Sequence, residues 1–197
     1  LFYLNLQNTV LRKFLTQKRM PRYEELTKSE RKAEYAKEMV TAFIKLDGMT
    51  VGAIANRTAV LDENGKTVEK FDAALTTAGC EKAAQFVKFC DAFGLPVVTF
   101  TNVNGYKATI EEEKTIAKAV AKLTYAFANS TVPKVNVIVG SAYGNAYTVM
   151  NSKSLGCDMV FAWPSALVGT MPARDAARII YDEELKTASD AAAYLDE

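Results

Sequence analysis

The groups best placed to do chemistry in this chain are backbone amides. Val135-Asn136-Val137-Ile138-Val139 is a β-branched run that stops at Gly140. Ser141-Ala142-Tyr143-Gly144-Asn145-Ala146-Tyr147 then leads through small residues into a segment of helical character. That order puts free N–H groups at the end of a strand, where they can hold a developing oxyanion. The arrangement occurs twice. Val97-Val98-Thr99-Phe100 leads into the turn Thr101-Asn102-Val103-Asn104-Gly105-Tyr106, and another helix follows. Two strand-end turns rich in amide donors point to chemistry on a polarised carbonyl.

Side-chain chemistry is narrowed by composition. The 197 residues include no histidine, which excludes a Ser-His-Asp triad, a Cys-His dyad and a His-ligated metal. Gly140-Ser141-Ala142-Tyr143-Gly144 is not a nucleophile elbow, because its serine stands one position early. The phosphate-binding pattern Gly-x-x-x-x-Gly-Lys-Ser/Thr does not occur. Lys+Arg number 24 and Asp+Glu 23, so no global basic field draws the chain to nucleic acid. The sequence has no apolar run of about 20 residues, the length of a membrane span. With 49% hydrophobic residues, it suits one domain with a substantial core.

Cys80, Cys90 and Cys157 lie scattered, without pair spacing. An odd count without a secretion signal reads as reduced and cytoplasmic. The start, Leu1-Phe2-Tyr3-Leu4, is apolar before it is basic, the wrong order for a signal peptide. It lacks an initiator Met and reads as a processed or truncated chain.

The elements that must position the two turns follow from periodicity. Residues 1–20 form an amphipathic, locally basic stretch, expected to pack as a helix on its own domain or on a neighbour; a membrane-surface helix is the alternative. Pro21 breaks it, and Tyr23 to Met39 is expected to be a solvated, charged helix. Residues 1–40 thus make a helical N-terminal extension, and 41–197 the main domain. Thr41 to Leu46, Asp47-Gly48 and Met49 to Ala55 predict a β-hairpin. Thr58 to Leu61 continues the strands, and the polar stretch to Asp72 is expected to be an exposed loop.

Ala83, Phe86, Val87, Cys90 and Phe93 recur at helical spacing, and Gly94 stops that helix. Glu111 to Asn129 is the clearest helix, striped by Ile116, Val120, Leu123 and Phe127. Tyr147 to Leu155 is expected to be helical with Gly156 as cap. Short strands are expected at Met159 to Ala162 and Leu167 to Gly169, then a helix over Ala173 to Leu185 and a short one over Thr187 to Glu197. Strands alternating with helices after an antiparallel start make an α/β unit. Asp91 and Asp158 read as caps or turn formers, Cys90 as inert core, Trp163-Pro164 as a strand end, and Arg174 and Arg178 as a solvated face.

Five segments carry a resemblance. Asn102-Val103-Asn104-Gly105-Tyr106 resembles the Asp-x-Pro-Gly-Phe turn of biotin-dependent acyl-CoA carboxyltransferases. Ala142-Tyr143-Gly144-Asn145-Ala146-Tyr147 resembles their Ala-Tyr-Gly-Gly-Ala-Tyr. Lys82 to Phe93, Thr131 to Val135 and Leu155 to Pro164 are also similar to theirs. Order and approximate spacing hold from about Thr41 to about Tyr181. The similarity is to the C-terminal half of propionyl-CoA carboxylase β subunits and of the methylmalonyl-CoA decarboxylase carboxyltransferase subunit.

The resemblance implies a crotonase-like ββα spiral. It implies transfer of a carboxyl group between carboxybiotin and an acyl-CoA, either propionyl-CoA/methylmalonyl-CoA or acetyl-CoA/malonyl-CoA. Biotin would arrive on a biotin carboxyl carrier protein, with biotin carboxylase or decarboxylase subunits as further partners. A homo-oligomer is implied, because relatives build the site across subunits. Carried over by position, Asn145 and Ala146 would offer amides to the biotin carbonyl, and Gly105 and Tyr106 would line the same cleft. Gly144 would set the turn, with Tyr143 and Thr148 beside the cofactor. Asn145 replaces the family's second glycine, Asn102 and Asn104 its Asp and Pro, and Thr148 a position often Asp. These departures motivate two alternatives: a non-catalytic crotonase-like scaffold of such a complex, or another crotonase-type hydratase or hydrolase.

Overall fold

The computed structural model describes residues 30–62 and 65–187. Its backbone is a six-stranded sheet with helices packed on one face. Strand β1 (Met39–Leu46) and β2 (Met49–Asn56) form the expected hairpin, with Leu46 opposite Met49. Asp47 and Gly48 turn it with φ of 49° and 83°, the left-handed pair that a two-residue hairpin needs. From β2 the sheet runs on in parallel through β6 (Val97–Val103) and β8 (Lys134–Tyr143). The far edge is shared: β9 (Met159–Ala162) pairs with the first half of β8, and β10 (Leu167–Gly169) with its end. Strand β6 is buried along its whole length, as a central parallel strand covered on both faces should be.

Two smaller pairs flank the sheet. β3 (Ala59–Leu61) pairs antiparallel with β4 (Thr67–Lys70). β5 (Ala74–Leu75) pairs in parallel with β7 (Gly105–Tyr106). Among the described residues the helices are, in chain order, α1 (Thr77–Ala92), α2 (Ile110–Glu113), α3 (Ile116–Asn129), α4 (Gly144–Val149), α5 (Ala173–Ile180) and α6 (Asp182–Thr187).

Helix α1 packs on α3 and on the hairpin, and its apolar stripe closes the main core. Leu123, Phe127, Val87, Ile54 and Met150 are fully buried there, each contributing about 1.5–3 kcal/mol relative to exposure. The sheet's opposite face holds a smaller cluster of Ile44, Val51, Val98, Phe100 and Val137. Among the described residues no helix is long and apolar enough to cross a membrane.

Several elements differ from what the sequence led one to expect. Residues 30–38 of the charged stretch are turns and not a helix, with Lys32 and Ala36 at φ of 53° and 46°. Their anchor is Lys82 of α1, whose ammonium donates to the Tyr35 and Ala36 carbonyls. It also lies 3.6 Å from Glu30, with side-chain exposures of 1% and 7%. Glu30, expected to be solvated, is therefore buried and also meets Arg57. The helix expected over 147–155 ends at Val149, and Asn151 turns left-handed at φ 57° before a 3-10 turn at Lys153–Leu155 capped by Gly156. The expected loop before Asp72 contains β4.

The long helix over 111–129 is broken at Thr115, whose φ of −128° leaves the helical region. The break follows from α1: Glu112 accepts the Thr77 amide at 2.7 Å, and the Thr115 and Thr77 hydroxyls bond at 2.9 Å. Satisfying the α1 N-terminus outweighs continuing one helix. Tyr181 interrupts the helix expected over 173–185. The stretches 1–20 and 188–197, for which helices were expected, lie outside the described residues.

Asp91 and Asp158, expected to be caps or turn formers, instead tether segments distant in sequence. Asp91 accepts from the Thr131 amide and hydroxyl, and Asp158 from the Lys134 amide. All three cysteines are free and buried. Burial pushes the Cys80 thiol up to about 12, helped by Glu112, and Cys90 up to about 11. Because the thiolate is the reactive form, both should react with an aromatic disulfide reagent at pH 8 about a hundredfold more slowly than in denaturant. Timed absorbance before and after denaturation checks this; a fast native phase at either residue would contradict the packing.

Candidate functional site

The two amide-bearing segments meet, although neither is shaped as expected. Strand β8 does not stop at Gly140; it runs to Tyr143, and α4 begins at once with Gly144. Strand β6 likewise continues through Asn102 to Val103. Gly105-Tyr106 is then the short strand β7, hydrogen-bonded to β5 and not a free turn. Asn104 donates to the Ala73 carbonyl and Lys107 to that of Leu75. β7 packs against α4, so Gly105 and Tyr106 are neighbours of that helix.

The reason for the longer strands is Asn102. Its Oδ1 accepts the Ser141 amide at 2.9 Å, bridging β6 to β8 at the bulge in their ladder. Asn56 holds Asn102 in place, accepting its amide at 2.9 Å and donating to its carbonyl. Gly140 is required here on steric grounds: a Cβ would stand 2.4 Å from the Asn102 Oδ1.

At α4 the helix start is chemically open. Tyr143 occupies the cap position in extended conformation and makes no side-chain capping bond. By contrast, Thr76 caps α1 and Thr109 caps α2. The first-turn amides of any helix have no intrahelical acceptor, which makes those of Asn145 and Ala146 candidates to bind an oxygen held at that end. Gly144 has φ 54°, and a Cβ on it would lie 3.0 Å from the Thr170 carbonyl oxygen. Only glycine meets both demands.

Asn145 has no such constraint. Its φ is not positive, and it is exposed while Ala146 behind it is fully buried. The asparagine at the second glycine position therefore imposes no backbone strain, and its amide keeps its place. At Gly105 a Cβ would meet nothing within 4 Å, so this glycine leaves open space beside the amides. Tyr106 and Tyr147 are half-buried against the main core, and burial raises both phenols above their usual range. Tyr143 lies against Gly169 of β10, and the Thr148 hydroxyl reaches the Gly144 carbonyl at 3.5 Å.

Sequence reasoning missed the supports of this arrangement: Asn56, Thr101, Asn136 and Asn151, and the structural role of Asn102. One signal was present. Asn102 and Asn136 interrupt β-branched runs, and a polar side chain in a buried strand has to find a partner.

Comparison with known proteins agrees with this geometry. The Carboxyl transferase domain family matches residues 21–197. The chain is 39% identical over 162 residues to the methylmalonyl-CoA carboxyltransferase 12S subunit of Propionibacterium freudenreichii subsp. shermanii, covering 82% of this chain and 29% of that protein. It is 40% identical over 157 residues to a putative propionyl-CoA carboxylase beta chain of Bacillus subtilis (strain 168), covering 79% and 29%. A transcarboxylase 12S crystal structure, a hexamer assembly with methylmalonyl-coenzyme A and methylmalonic acid bound, superposes with a TM-score of 0.77. Its sequence identity is 35%, and the match covers 95% of this chain and 33% of that one. The chain thus spans under a third of the length of these two curated relatives. Its sheet of parallel strands after an antiparallel hairpin is the crotonase-like α/β fold, and the chain belongs to the carboxyl transferase domain family.

Proposed function

We propose that this chain forms the biotin-facing part of a carboxyltransferase in a biotin-dependent acyl-CoA carboxylase or decarboxylase. The observation that carries the reading is the uncapped first turn of α4, with Gly144 left-handed and β7 against it. Carboxybiotin, delivered on a carrier protein, supplies the carboxyl group. The Asn145 and Ala146 amides would hold the ureido oxygen of biotin. Fixed backbone donors suit that task because they need no reorganisation and no proton of their own. Gly105 leaves room for the ring, and Tyr106 and Tyr143 flank it. Thr148 stands one helical turn behind.

The relatives' names favour methylmalonyl-CoA and propionyl-CoA as the acyl pair over malonyl-CoA and acetyl-CoA. A cleft for the coenzyme A thioester would come from protein beyond this chain, in keeping with its share of the relatives' length. A homo-oligomer and further biotin carboxylase or decarboxylase subunits complete the assembly. Three buried thiols are consistent with a reducing compartment, the cytoplasm.

The test is Asn145→Pro. Proline is tolerated in a helix's first turn and deletes one donor. Loss of such a donor is expected to lower biotin-dependent carboxyl exchange by about 10²–10³, with little change in melting temperature. Asn145→Gly should stay within about threefold of the parent, since the amide remains. Undiminished exchange in Asn145→Pro would remove the assignment. Carrier binding without any exchange in the parent would instead indicate a scaffold.

A further inference from the structure

We propose that Asn136 is a positioning residue for the amide-bearing first turn of α4. The inference rests on the biotin-site reading for its relevance to catalysis, but its structural content stands separately. Helix α4 has six residues, about 9 Å of rod at 1.5 Å per residue. A helix that short has no stability of its own in water. Its place is set by how its two ends are held, and a shift at one end is a shift at the other.

The entry is held by the Asn102 contact to Ser141. The exit is held by Asn136. This residue is the third of β8, with 0% exposure. Its Nδ2 donates to the Met150 carbonyl at 3.0 Å, and its Oδ1 accepts the Thr101 hydroxyl at 2.9 Å. Met150 is the C-cap of α4, and its amide closes the helix onto the Tyr147 carbonyl. The next residue, Asn151, is left-handed and stitched to the sheet through the Thr99 hydroxyl and the Val135 carbonyl. So the chain leaving α4 is pinned to β6 and β8 by side-chain amides where a strand would favour valine or isoleucine. A buried amide is costly unless bonded; here its donor goes to the end of the short helix and its acceptor to β6.

The experiment uses Asn136→Leu, of similar size but without donor or acceptor, and Asn136→Thr, which restores a hydroxyl donor. Amide hydrogen exchange is measured across the full chain, with exchange kinetics of biotin-dependent transfer alongside. In Asn136→Leu, exchange at Val149 and Met150 is expected to rise at least tenfold, while amides at the centre of α1 keep their rates. The Asn145 and Ala146 amide resonances shift, kcat falls about tenfold and KM for acyl-CoA stays within twofold. Asn136→Thr returns these values to within about threefold of the parent.

Exchange at Val149 and Met150 unchanged, or rising equally in α1, overturns the proposal; the second pattern marks general destabilisation only. If Asn136→Leu fails to fold, Thr101→Val, which takes away the partner of the Asn136 Oδ1, provides the same readouts, with a threefold or greater local rise expected. Absence of transfer in a parent assembled with its coenzyme A cleft would overturn the biotin-site reading, and the exchange and resonance arms would still decide whether Asn136 holds α4.

Discussion

Gly144→Val is expected to abolish biotin-dependent carboxyl transfer, a loss of about 10³ or more if both first-turn donors are misplaced. The substitution meets two obstacles at once. A β-branched residue at φ 54° is strained, by roughly 1–3 kcal/mol for a position forced into a sparsely populated backbone region. In addition, its Cβ would be pressed to 3.0 Å from the Thr170 carbonyl. The chain can relieve both only by rotating the peptide into Asn145, which re-aims the donors, or by moving the segment after β10. Carboxyl exchange with free biotin, measured beside the melting temperature, separates the outcomes. Activity near the parent's level would mean that the geometry of this turn is not used. Loss of activity together with complete unfolding would be answered by Gly144→Ala, which keeps the strain and the Cβ contact but lacks the two γ-methyls of valine.

Lys82→Ala is expected to be the most destabilising substitution among the charged residues described, by about 3–5 kcal/mol, the range for leaving one member of a buried pair alone. Its ammonium is 1% exposed and faces Glu30, itself 7% exposed. Removing it strands that carboxylate with only Arg57, at 3.4 Å, and releases the Tyr35 and Ala36 carbonyls. The 30–38 turns should detach first, visible as new protease cleavage there before global unfolding. Glu30→Gln combined with Lys82→Met should recover at least half of the loss, because a neutral pair of similar volume carries no stranded charge.

A pH dependence follows as well. Burial holds the Lys82 ammonium below its usual 10.5, and Glu30 opposes that effect. The native state therefore releases this proton before the unfolded state does. Stability gains from this site as pH rises through the folded value toward 10.5, and the gain is absent in Lys82→Met. An unfolding free energy that changes by less than about 1 kcal/mol in Lys82→Ala would show that the pair is solvated after all.

The hairpin and α1 were legible in the sequence because their determinants are local. Asp47-Gly48 sets the turn, and the spacing of Ala83, Phe86, Val87 and Cys90 sets the buried face. The amide segments were found through their glycines and through family resemblance, yet their shapes were misread. Turns were expected at Gly140 and Thr101, and strands continue through both. The cause is a hydrogen bond between Asn102 and Ser141, residues 39 apart in sequence, which no window of local propensity contains. The break at Thr115 has the same origin, since Thr77 and Glu112 meet across 35 residues. Glu30 read as solvent-facing because its partner lies 52 positions away in α1. Local pattern recovered which elements exist; the distant polar pairs decide where they end, and the candidate site is built at those ends.

The ladder β2–β6–β8 has a consequence for how the chain reaches this state. Asn56 meets Asn102 across 46 residues, and Asn102 meets Ser141 across 39. Each parallel pairing must close a long loop before any contact rewards it. The β1–β2 hairpin is the one local pairing within the main sheet, so it can form early and wait as a template for β6. Helix α4 depends on β6 and β8 being already side by side, and on their asparagines being in register. The last part of the fold to be made is then the part proposed to hold biotin. A nascent or partly refolded chain would have a nearly complete sheet and no receptor for the carrier.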